Sequence, residues 1–117
     1  MSRSTLYHNP RCSKSRAALA ILQERGIEPC IVAYLEQAPS IAELKTLIAQ
    51  LGLSDVRAMM RQGEAEYQAL ALDNPTHSQE ALIAALAAHP RLIERPIFVH
   101  NERAVIARPP ERVLALL

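Results

Sequence analysis

The most constraining feature of this sequence is a short apolar strand that passes directly into a turn and a helix. Thr5 to His8 are β-prone and apolar at alternate positions, which predicts a strand. Asn9-Pro10 is a turn signal that ends this strand. From Ser13 to Arg25 apolar residues recur at helical spacing, and Gly26 predicts the end of the helix. The chain is thus predicted to begin as strand, turn and helix.

A second apolar segment completes a strand–helix–strand unit. Residues Cys30 to Leu35 form a continuous apolar run of strand length, which predicts a buried strand. Short units of this kind favour two parallel strands that are joined by a right-handed crossover. The first third of the chain therefore indicates an α/β fold.

A helix with a clear start and stop follows the second strand. Ser40 and Glu43 have the spacing of a capping box, S-x-x-E, at a helix N-terminus. Apolar residues then recur at helical spacing as far as Gly52, which predicts the end of the helix. The segment is therefore expected to be a helix with one apolar face.

Further helices are predicted before the chain returns to strand. Ser54 is expected to cap a third helix that runs through Met60. Helical periodicity is weaker over Glu64 to Leu70, and Ser78 is predicted to open a fourth helix, Gln79 to Ala88. The sequence thus places a block of helices after the second strand.

Two strands and a short helix are predicted at the C-terminal end. Pro96 to His100 and Arg103 to Ala107 have the composition of strands. Asn101-Glu102 between them predicts a tight antiparallel hairpin. Glu111 to Leu117 are expected to form a last short helix.

This order of elements is that of a thioredoxin-like domain with a helical insertion after its second strand. We expect an α/β fold with a mixed four-stranded sheet and flanking helices. A length of 117 residues suits one domain. The prediction is therefore a single domain over residues 1–117, with the insertion at about residues 40–90.

Composition argues against several partners. The formal net charge is +1 and aromatic residues make up 3%, so neither a basic surface nor stacking platforms for nucleic acid are expected. The longest apolar stretch, Ala81 to Ala88, is far shorter than the roughly 20 residues of a membrane span. No secretory signal is visible at the N-terminus. We expect a cytoplasmic monomer that binds neither nucleic acid nor membrane.

Cys12 is the strongest candidate for chemistry. It lies where the first helix begins, so free backbone N–H groups and the helix dipole would stabilise a thiolate. Such cysteines have a pKa of roughly 3.5 to 7.5 instead of about 8.5. His8, Lys14 and Arg16 are possible cationic neighbours, and the same N–H groups can hold an oxyanion. A small buried hydrophobic role is the alternative for Cys12, and it is the favoured role for Cys30.

Spacing excludes other cysteine sites. Cys12-x-x-Ser15 lacks the second cysteine of a dithiol motif. A phosphatase-like loop requires an arginine six residues after the cysteine, where this chain has Ala18. No cluster has the ligand spacing of a zinc site, so no metal is expected.

The segment Tyr7 to Arg16 closely resembles the active-site signature of the glutaredoxin-linked arsenate reductase family. The pattern is His-x3-Cys-x3-Arg, with His8, Cys12 and Arg16 in this chain. Four later segments also resemble the family and follow its order over nearly the whole chain: Pro29–Glu36, Val56–Arg61, Ile93–Ile97 and Ala107–Pro109.

The resemblance implies reduction of arsenate to arsenite on a thioredoxin-like fold. It makes Cys12 the nucleophile that forms a covalent thiol–arsenate adduct. It assigns the binding of the oxyanion to three arginines, Arg61, Arg95 and Arg108. His8, Ser15 and Arg16 are expected to support the thiolate.

The resemblance also implies how the reaction is supplied with electrons. Glutathione is the expected co-substrate and glutaredoxin the expected protein partner, with no cofactor bound. Pro96 matches the proline that follows a cis peptide bond in thioredoxin-like folds. Arg57 has no counterpart in the family pattern and is expected to be a surface charge.

Two other functions fit the same fold. One is a glutathione-dependent thiol or disulfide reductase that acts on another substrate. The other is a regulator of transcription that binds RNA polymerase. Ser15, where a redox switch would have its second cysteine, and the three arginines favour chemistry on an oxyanion.

Overall fold

The computed structural model describes residues 4–117 and places four strands and four α-helices along the chain. Their order and bounds are β1 (Ser4–Tyr7), α1 (Ser13–Glu24), β2 (Cys30–Val32), α2 (Ile41–Leu51), α3 (Ala65–Ala69), α4 (Gln79–Ala88), β3 (Ile97–His100) and β4 (Arg103–Ile106). Three 3-10 helices lie at Val56–Met59, Pro90–Leu92 and Pro110–Leu116.

The chain packs as two compact units. The first consists of residues 4–37 and 95–117 and contains all four strands and α1. The second consists of residues 38–94 and contains α2, α3 and α4. The helical block therefore lies between β2 and β3, as predicted, while a single domain over residues 1–117 stays a prediction.

The first unit is built on a mixed four-stranded sheet with the strand order β2-β1-β3-β4. β1 is parallel to β2, with Leu6 beside Ile31, and antiparallel to β3, with Leu6 beside Phe98. β3 and β4 are antiparallel. This sheet with its flanking helices confirms the predicted α/β, thioredoxin-like fold.

The core of the first unit lies between the sheet, α1 and the C-terminal 3-10 helix. Six of its side chains are completely buried: Leu6, Ala18, Leu22, Phe98, Ala107 and Val113. Burial of this apolar surface holds α1 against the middle of the sheet. It thereby fixes the N-terminus of α1 relative to the ends of the strands.

Local signals in the sequence form the ends of the helices as predicted. α1 ends in a Schellman motif, in which Gly26 has φ +76° and donates to Gln23 while Ile27 donates to Leu22. At the start of α2, Ser40 and Glu43 form both hydrogen bonds of the capping box.

The turn between β3 and β4 also follows its sequence. Asn101 and Glu102 both have a positive φ, at 52° and 66°. Two consecutive residues of this kind form the tight turn whose twist matches that of a hairpin. The antiparallel hairpin is therefore confirmed.

Three predicted elements differ from the structure. β2 covers only Cys30–Val32, because the chain enters a turn after it. The helix expected after Ser54 is a short 3-10 helix, Val56–Met59, whose N-cap is Asp55. The last helix, Pro110–Leu116, is also of the 3-10 type.

The second unit is held together by the apolar faces of its helices. α2 packs against α4, and their buried side chains include Leu44 and Leu47 on α2 and Leu82 and Leu86 on α4. Met60 and Ile93 form an isolated antiparallel bridge. Over residues 4–117, every helix is too short or too polar to cross a membrane.

Candidate active site

Cys12 lies at the junction between the loop after β1 and the first turn of α1. Its backbone N–H donates to the carbonyl oxygen of Asn9 at 3.0 Å, and its carbonyl oxygen accepts from the N–H of Arg16 at 3.0 Å. Its φ of −93° and ψ of 122° are those of an N-cap residue. Cys12 is partly exposed to solvent.

The surroundings of Cys12 favour the thiolate. Burial alone would raise the pKa of the thiol, but the backbone N–H groups of Ser15 and Lys14 and the guanidinium of Arg95 outweigh it and lower that pKa. The sulfur makes no capping hydrogen bond of strict geometry, so the N–H groups act mainly through their partial positive charge. The position predicted for a reactive cysteine therefore has the expected electrostatics.

Strand pairing brings Arg95 to the end of the sheet where Cys12 lies. β3 is antiparallel to β1 with Ile97 opposite Tyr7, so the residues before Ile97 lie beside those that follow Tyr7. The guanidinium of Arg95 lies close enough to the Cys12 side chain to lower its pKa, and its Nε and Nη1 atoms are shielded from solvent. A permanent cation thus stands beside the candidate nucleophile.

Arg108 is held next to Arg95. It follows β4, whose Ile106 lies opposite Ile97 in the β3–β4 ladder. Nη1 of Arg108 donates to the backbone carbonyl oxygen of Arg95 at 3.1 Å. The structure therefore places Arg95 beside Cys12 and holds Arg108 to the backbone of Arg95, all within the first unit.

Both arginines directly precede a cis peptide bond. The Arg95–Pro96 bond is cis, and so is the Arg108–Pro109 bond. Pro96 is buried, and its carbonyl oxygen accepts from the N–H of Ala107 at 2.8 Å. The family resemblance predicts a cis bond before Pro96 only, so the cis bond before Pro109 is an additional feature.

His8 and Ser15 form a buried pair beneath the loop that carries Cys12. His8 Nδ1 and Ser15 Oγ are 2.6 Å apart, and the tautomer of His8 decides which atom donates. Ser15 is completely buried, and its Oγ also accepts from the backbone N–H of Asn9 at 3.0 Å. Ser15 thereby ties the end of β1 to the first turn of α1, whose N–H groups face the sulfur.

His8 is expected to be neutral near neutral pH. Burial, and then the nearby charge of Arg16, lower the pKa of the His8 imidazole below its ordinary value of 6.5. The sequence predicts His8 as a possible cation near Cys12, and the lowered pKa argues against that role. Its contacts indicate a different contribution, which is to hold Ser15 in place.

Two further residues stabilise the loop itself. Nη1 of Arg16 donates to the carbonyl oxygen of Pro10 at 2.8 Å. Oδ1 of Asn9 accepts from the N–H of Arg11 at 3.0 Å, which forms an Asx turn. Asn9-Pro10 predicts the end of the strand, and an Asn at this position also signals such a turn.

Arg61 belongs to the second unit. Its backbone N–H donates to the carbonyl oxygen of Leu92 at 2.7 Å, and its Nη1 lies 3.4 Å from Oε1 of Glu64. Arg91 also approaches Glu64, with Nε at 3.8 Å. The part of Arg61 in oxyanion binding stays a prediction.

Two expectations about single residues are wrong. Cys30 is exposed, because β2 is an edge strand of the sheet and its side chain lies outside the core. Arg57 is not a free surface charge: it donates from Nε to the carbonyl oxygen of Leu72 at 2.7 Å and from Nη2 to that of Asn74 at 2.8 Å. Arg57 therefore holds the segment after α3.

The arrangement in the first unit suits one kind of chemistry. Arginine side chains match the oxygens of tetrahedral anions, and the thiolate is a nucleophile. The thiol of Cys12 beside the guanidinium of Arg95, with Arg108 held to the backbone of Arg95, is thus an arrangement suited to an oxyanion. Within residues 4–117, there is no group of three or more His, Cys, Asp or Glu side chains that could hold a metal ion.

Comparison with known proteins assigns the chain to a family. The sequence model of the ArsC family matches residues 7–116. The chain is 49% identical over 112 residues to a Neisseria meningitidis protein named arsenate reductase, and the match covers 96% of each chain. A Haemophilus influenzae protein of the same name is 48% identical over 112 residues, with coverage of 96% of this chain and 97% of the relative.

A solved structure shows the same fold. The chain is similar to the structure described as arsenate reductase from Vibrio cholerae, with a TM-score of 0.96 and 54% sequence identity. The match covers 97% of each chain.

Proposed function

The chain belongs to the ArsC family, and we propose that it reduces arsenate to arsenite through a covalent adduct at Cys12. The observation that carries the proposal is the placement of Cys12 beside Arg95, with Arg108 hydrogen-bonded to the backbone of Arg95. The names of the related proteins support arsenate as the substrate.

The arginines address the main electrostatic obstacle to this reaction. Arsenate carries negative charge near neutral pH, so a thiolate that attacks it is repelled. Two guanidinium groups and the N-terminus of α1 offset this repulsion and stabilise the charge of the transition state. A neutral His8 adds no charge, and its proposed part is to keep Ser15 and the first turn of α1 in position.

The proposed first step forms a sulfur–arsenic bond. Sγ of Cys12 attacks arsenic with its electron pair, and one arsenate oxygen leaves as water after it takes up protons. The arsenic in the adduct is still in the pentavalent state. No electrons have been transferred to it at this point, so a reductant is required.

Reduction follows when a second thiolate attacks Sγ of Cys12. A sulfur–sulfur bond forms, the sulfur–arsenic bond breaks, and its electron pair stays on arsenic, which leaves as arsenite. Cys12 is then half of a mixed disulfide, and a further thiol releases it. Each turnover thus oxidises two thiols to one disulfide and reduces one arsenate.

The second thiol is proposed to come from glutathione, with glutaredoxin resolving the mixed disulfide. Ser15 occupies the position of the second cysteine in a dithiol motif. Cys30 lies beside Thr5 in the β1–β2 ladder. The loop that carries Cys12 begins at His8, which is about 10 Å further along β1 than Thr5. A disulfide needs Cα atoms within about 7 Å, so Cys30 is poorly placed to resolve the adduct.

The same proposal takes the protein as a cytoplasmic monomer. The reaction consumes reduced glutathione and therefore requires a reducing compartment. All of the groups assigned to the adduct belong to one chain, so a second copy has no assigned part in the reaction.

A coupled assay tests the proposal. Arsenate, glutathione, glutaredoxin and NADPH are supplied, and NADPH oxidation is followed for the wild type, Cys12→Ser and Cys30→Ser. We expect turnover by the wild type and by Cys30→Ser, and none by Cys12→Ser. Equal loss in both variants would contradict the single-cysteine mechanism.

The two alternative functions have their own outcomes in the same set of experiments. Reduction of glutathione mixed disulfides without reduction of arsenate would identify a thiol–disulfide reductase. Recovery of RNA polymerase subunits by the purified protein, with neither activity present, would identify a transcriptional regulator.

A further inference from the structure

The tip of the loop that carries Cys12 is held by hydrogen bonds and not by packing. Pro10 and Arg11, which form this tip, are both exposed, so their side chains are not fixed in the core. The loop ends at Cys12, which is the N-cap of α1 and the candidate nucleophile. The groups that hold the backbone of the loop therefore decide where Sγ of Cys12 lies.

Asn9 contributes three of these hydrogen bonds, each through a different atom. Its carbonyl oxygen accepts from the N–H of Cys12 at 3.0 Å, which closes a β-turn over residues 9–12. Its Oδ1 accepts from the N–H of Arg11 at 3.0 Å. Its own N–H donates to Oγ of Ser15 at 3.0 Å. Both ends of the loop are thus joined at Asn9.

The side chain of Asn9 reinforces the turn that its backbone closes. The commonest type of β-turn favours Asn at the first position and Pro at the second, as in Asn9-Pro10. The Asx turn adds a bond inside this β-turn, because Oδ1 of Asn9 binds the N–H of the residue directly before Cys12. Without the Asn9 side chain, the turn loses one of the two bonds that hold it closed.

Asn9 also connects the turn to the N–H groups that act on the thiol. Burial raises the pKa of Cys12, and the N–H groups of Ser15 and then Lys14 are the first of the groups that lower it. Ser15 is the residue whose Oγ accepts from the N–H of Asn9. A turn that opens therefore moves the sulfur relative to these N–H groups.

We propose that Asn9 is a positioning residue for the reaction at Cys12, an inference that deepens the proposed function and rests on it. The Asn9 side chain fixes the turn that presents Sγ to the first turn of α1. It acts through the backbone of Arg11 and does not touch the substrate. Such placement matters because a displacement of about 1 Å can cost about a hundredfold in rate.

The rate of alkylation of Cys12 by iodoacetamide tests this placement without arsenate. In a Cys30→Ser background, Asn9→Ala and Asn9→Gln are expected to lower the rate near neutral pH about three- to tenfold, because less thiolate is present. Gln keeps the amide, but its longer side chain does not fit the Asx turn, and Asn9→Gln carries the test if Asn9→Ala does not fold. Asn9→Ser keeps an oxygen that forms the analogous, weaker turn, so an intermediate rate is expected.

Asn74→Ala is the matched control. Oδ1 of Asn74 accepts from the N–H of Thr76 at 2.9 Å, which forms the same kind of Asx turn in the second unit. Its loss is expected to leave the alkylation of Cys12 unchanged. An equal effect of Asn9→Ala and Asn74→Ala would attribute the change to a general loss of stability and would overturn the proposal.

Steady-state kinetics in the coupled assay give a second readout. Asn9→Ala is expected to lower kcat about ten- to hundredfold and to leave the KM for arsenate within about twofold of the wild type. The KM is kept because Arg108 is still held to the backbone of Arg95. A raised KM with an unchanged kcat would overturn the proposal. Alkylation as slow in Asn9→Ser as in Asn9→Ala would also overturn it, since the retained oxygen would then have no effect.

The two measurements separate this inference from the proposed function. Slower alkylation of Asn9→Ala, without any arsenate reduction by the wild type, would support the placement of Cys12 by Asn9 and overturn the function. Arsenate reduction by the wild type, with the same kcat and alkylation rate in Asn9→Ala, would overturn the inference and leave the function in place.

Discussion

Arg108 donates a hydrogen bond from Nη1 to the backbone carbonyl oxygen of Arg95, at 3.1 Å. This bond links the segment that follows β4 to the segment that precedes β3. Because the charge of Arg95 is one of the groups that lower the pKa of Cys12, the bond connects Arg108 to a residue beside the nucleophile. The geometry predicts that the loss of either one affects the other.

Arg108→Ala is expected to lower kcat/KM for arsenate by about 10²–10³, the cost of removing one preorganised donor from an oxyanion site. Arg108→Lys keeps a charge but loses the planar fork, so an intermediate loss is expected. Steady-state kinetics with arsenate measure both variants. Arg103→Ala removes an exposed arginine of β4 and serves as the control. Wild-type kinetics in Arg108→Ala would show that Arg108 is structural.

Arg95→Ala is expected to raise the pKa of Cys12, because the guanidinium of Arg95 is one of the groups that lower it. The rate of alkylation by iodoacetamide follows the thiolate fraction, so its rise with pH is expected to move to higher pH in the variant. The experiment is done in a Cys30→Ser background, which leaves Cys12 as the one thiol in the sequence.

Arg25→Ala is the matched control for this measurement. Arg25 is an exposed arginine at the opposite end of α1. Its removal is expected to leave the alkylation profile unchanged. An equal shift in both variants would attribute the effect to net charge and not to the contact between Arg95 and Cys12.

The lowered pKa of His8 predicts that the protein loses stability in mild acid. Its pKa is lowered in the folded state, through burial and then Arg16, so the unfolded chain binds the proton more tightly. The stability that neutral His8 contributes is therefore fully present above about pH 6.5, the ordinary pKa of histidine. This stability is lost as the pH falls below that value. His8→Asn cannot titrate but can still bond Ser15, and it is expected to lose less stability on acidification.

Urea unfolding at about pH 8 and about pH 5.5 brackets this transition and measures the difference. His77→Asn removes a histidine in the second unit and is expected to behave as the wild type. If the wild type and His8→Asn lose equal stability between the two pH values, His8 is not the titrating group.

Arg61 is the third arginine that the family resemblance assigns to the oxyanion. Arg61→Ala is expected to raise the KM for arsenate about tenfold or more, since it removes a charge-assisted contact with an oxygen. Kinetics at saturating glutathione measure the change. Arg91→Ala is the control, because Arg91 shares the Glu64 partner with Arg61 but has no assigned contact with arsenate. An equal rise in KM in both variants would indicate that it comes from the lost contact with Glu64 and not from a lost contact with arsenate.

Several features followed from a few neighbouring residues and were predicted correctly. The capping box of Ser40 and Glu43 and the turn at Asn101 and Glu102 depend only on local backbone geometry. The place of Cys12 at the start of α1 is of the same kind. Such features do not depend on distant parts of the chain.

Burial was predicted less well, as Cys30 shows. An apolar run predicts a strand, but the burial of its side chains depends on what packs against the strand. β2 lies at the edge of the sheet, so Cys30 is exposed although its neighbours in sequence are apolar. Ser15 was predicted to support the thiolate, but its bonds to His8 and Asn9 were not, because both partners lie outside the helix that carries Ser15.

The sequence alone determined the order of the elements, the ends of the helices and the position of Cys12, because these arise from interactions within a few residues. Only the tertiary structure decided that Arg95 lies beside Cys12 and that Arg108 is held to the backbone of Arg95. The antiparallel register of β1, β3 and β4 places their loops at one end of the sheet. That register is set by the burial of side chains far apart in sequence, which local patterns do not contain.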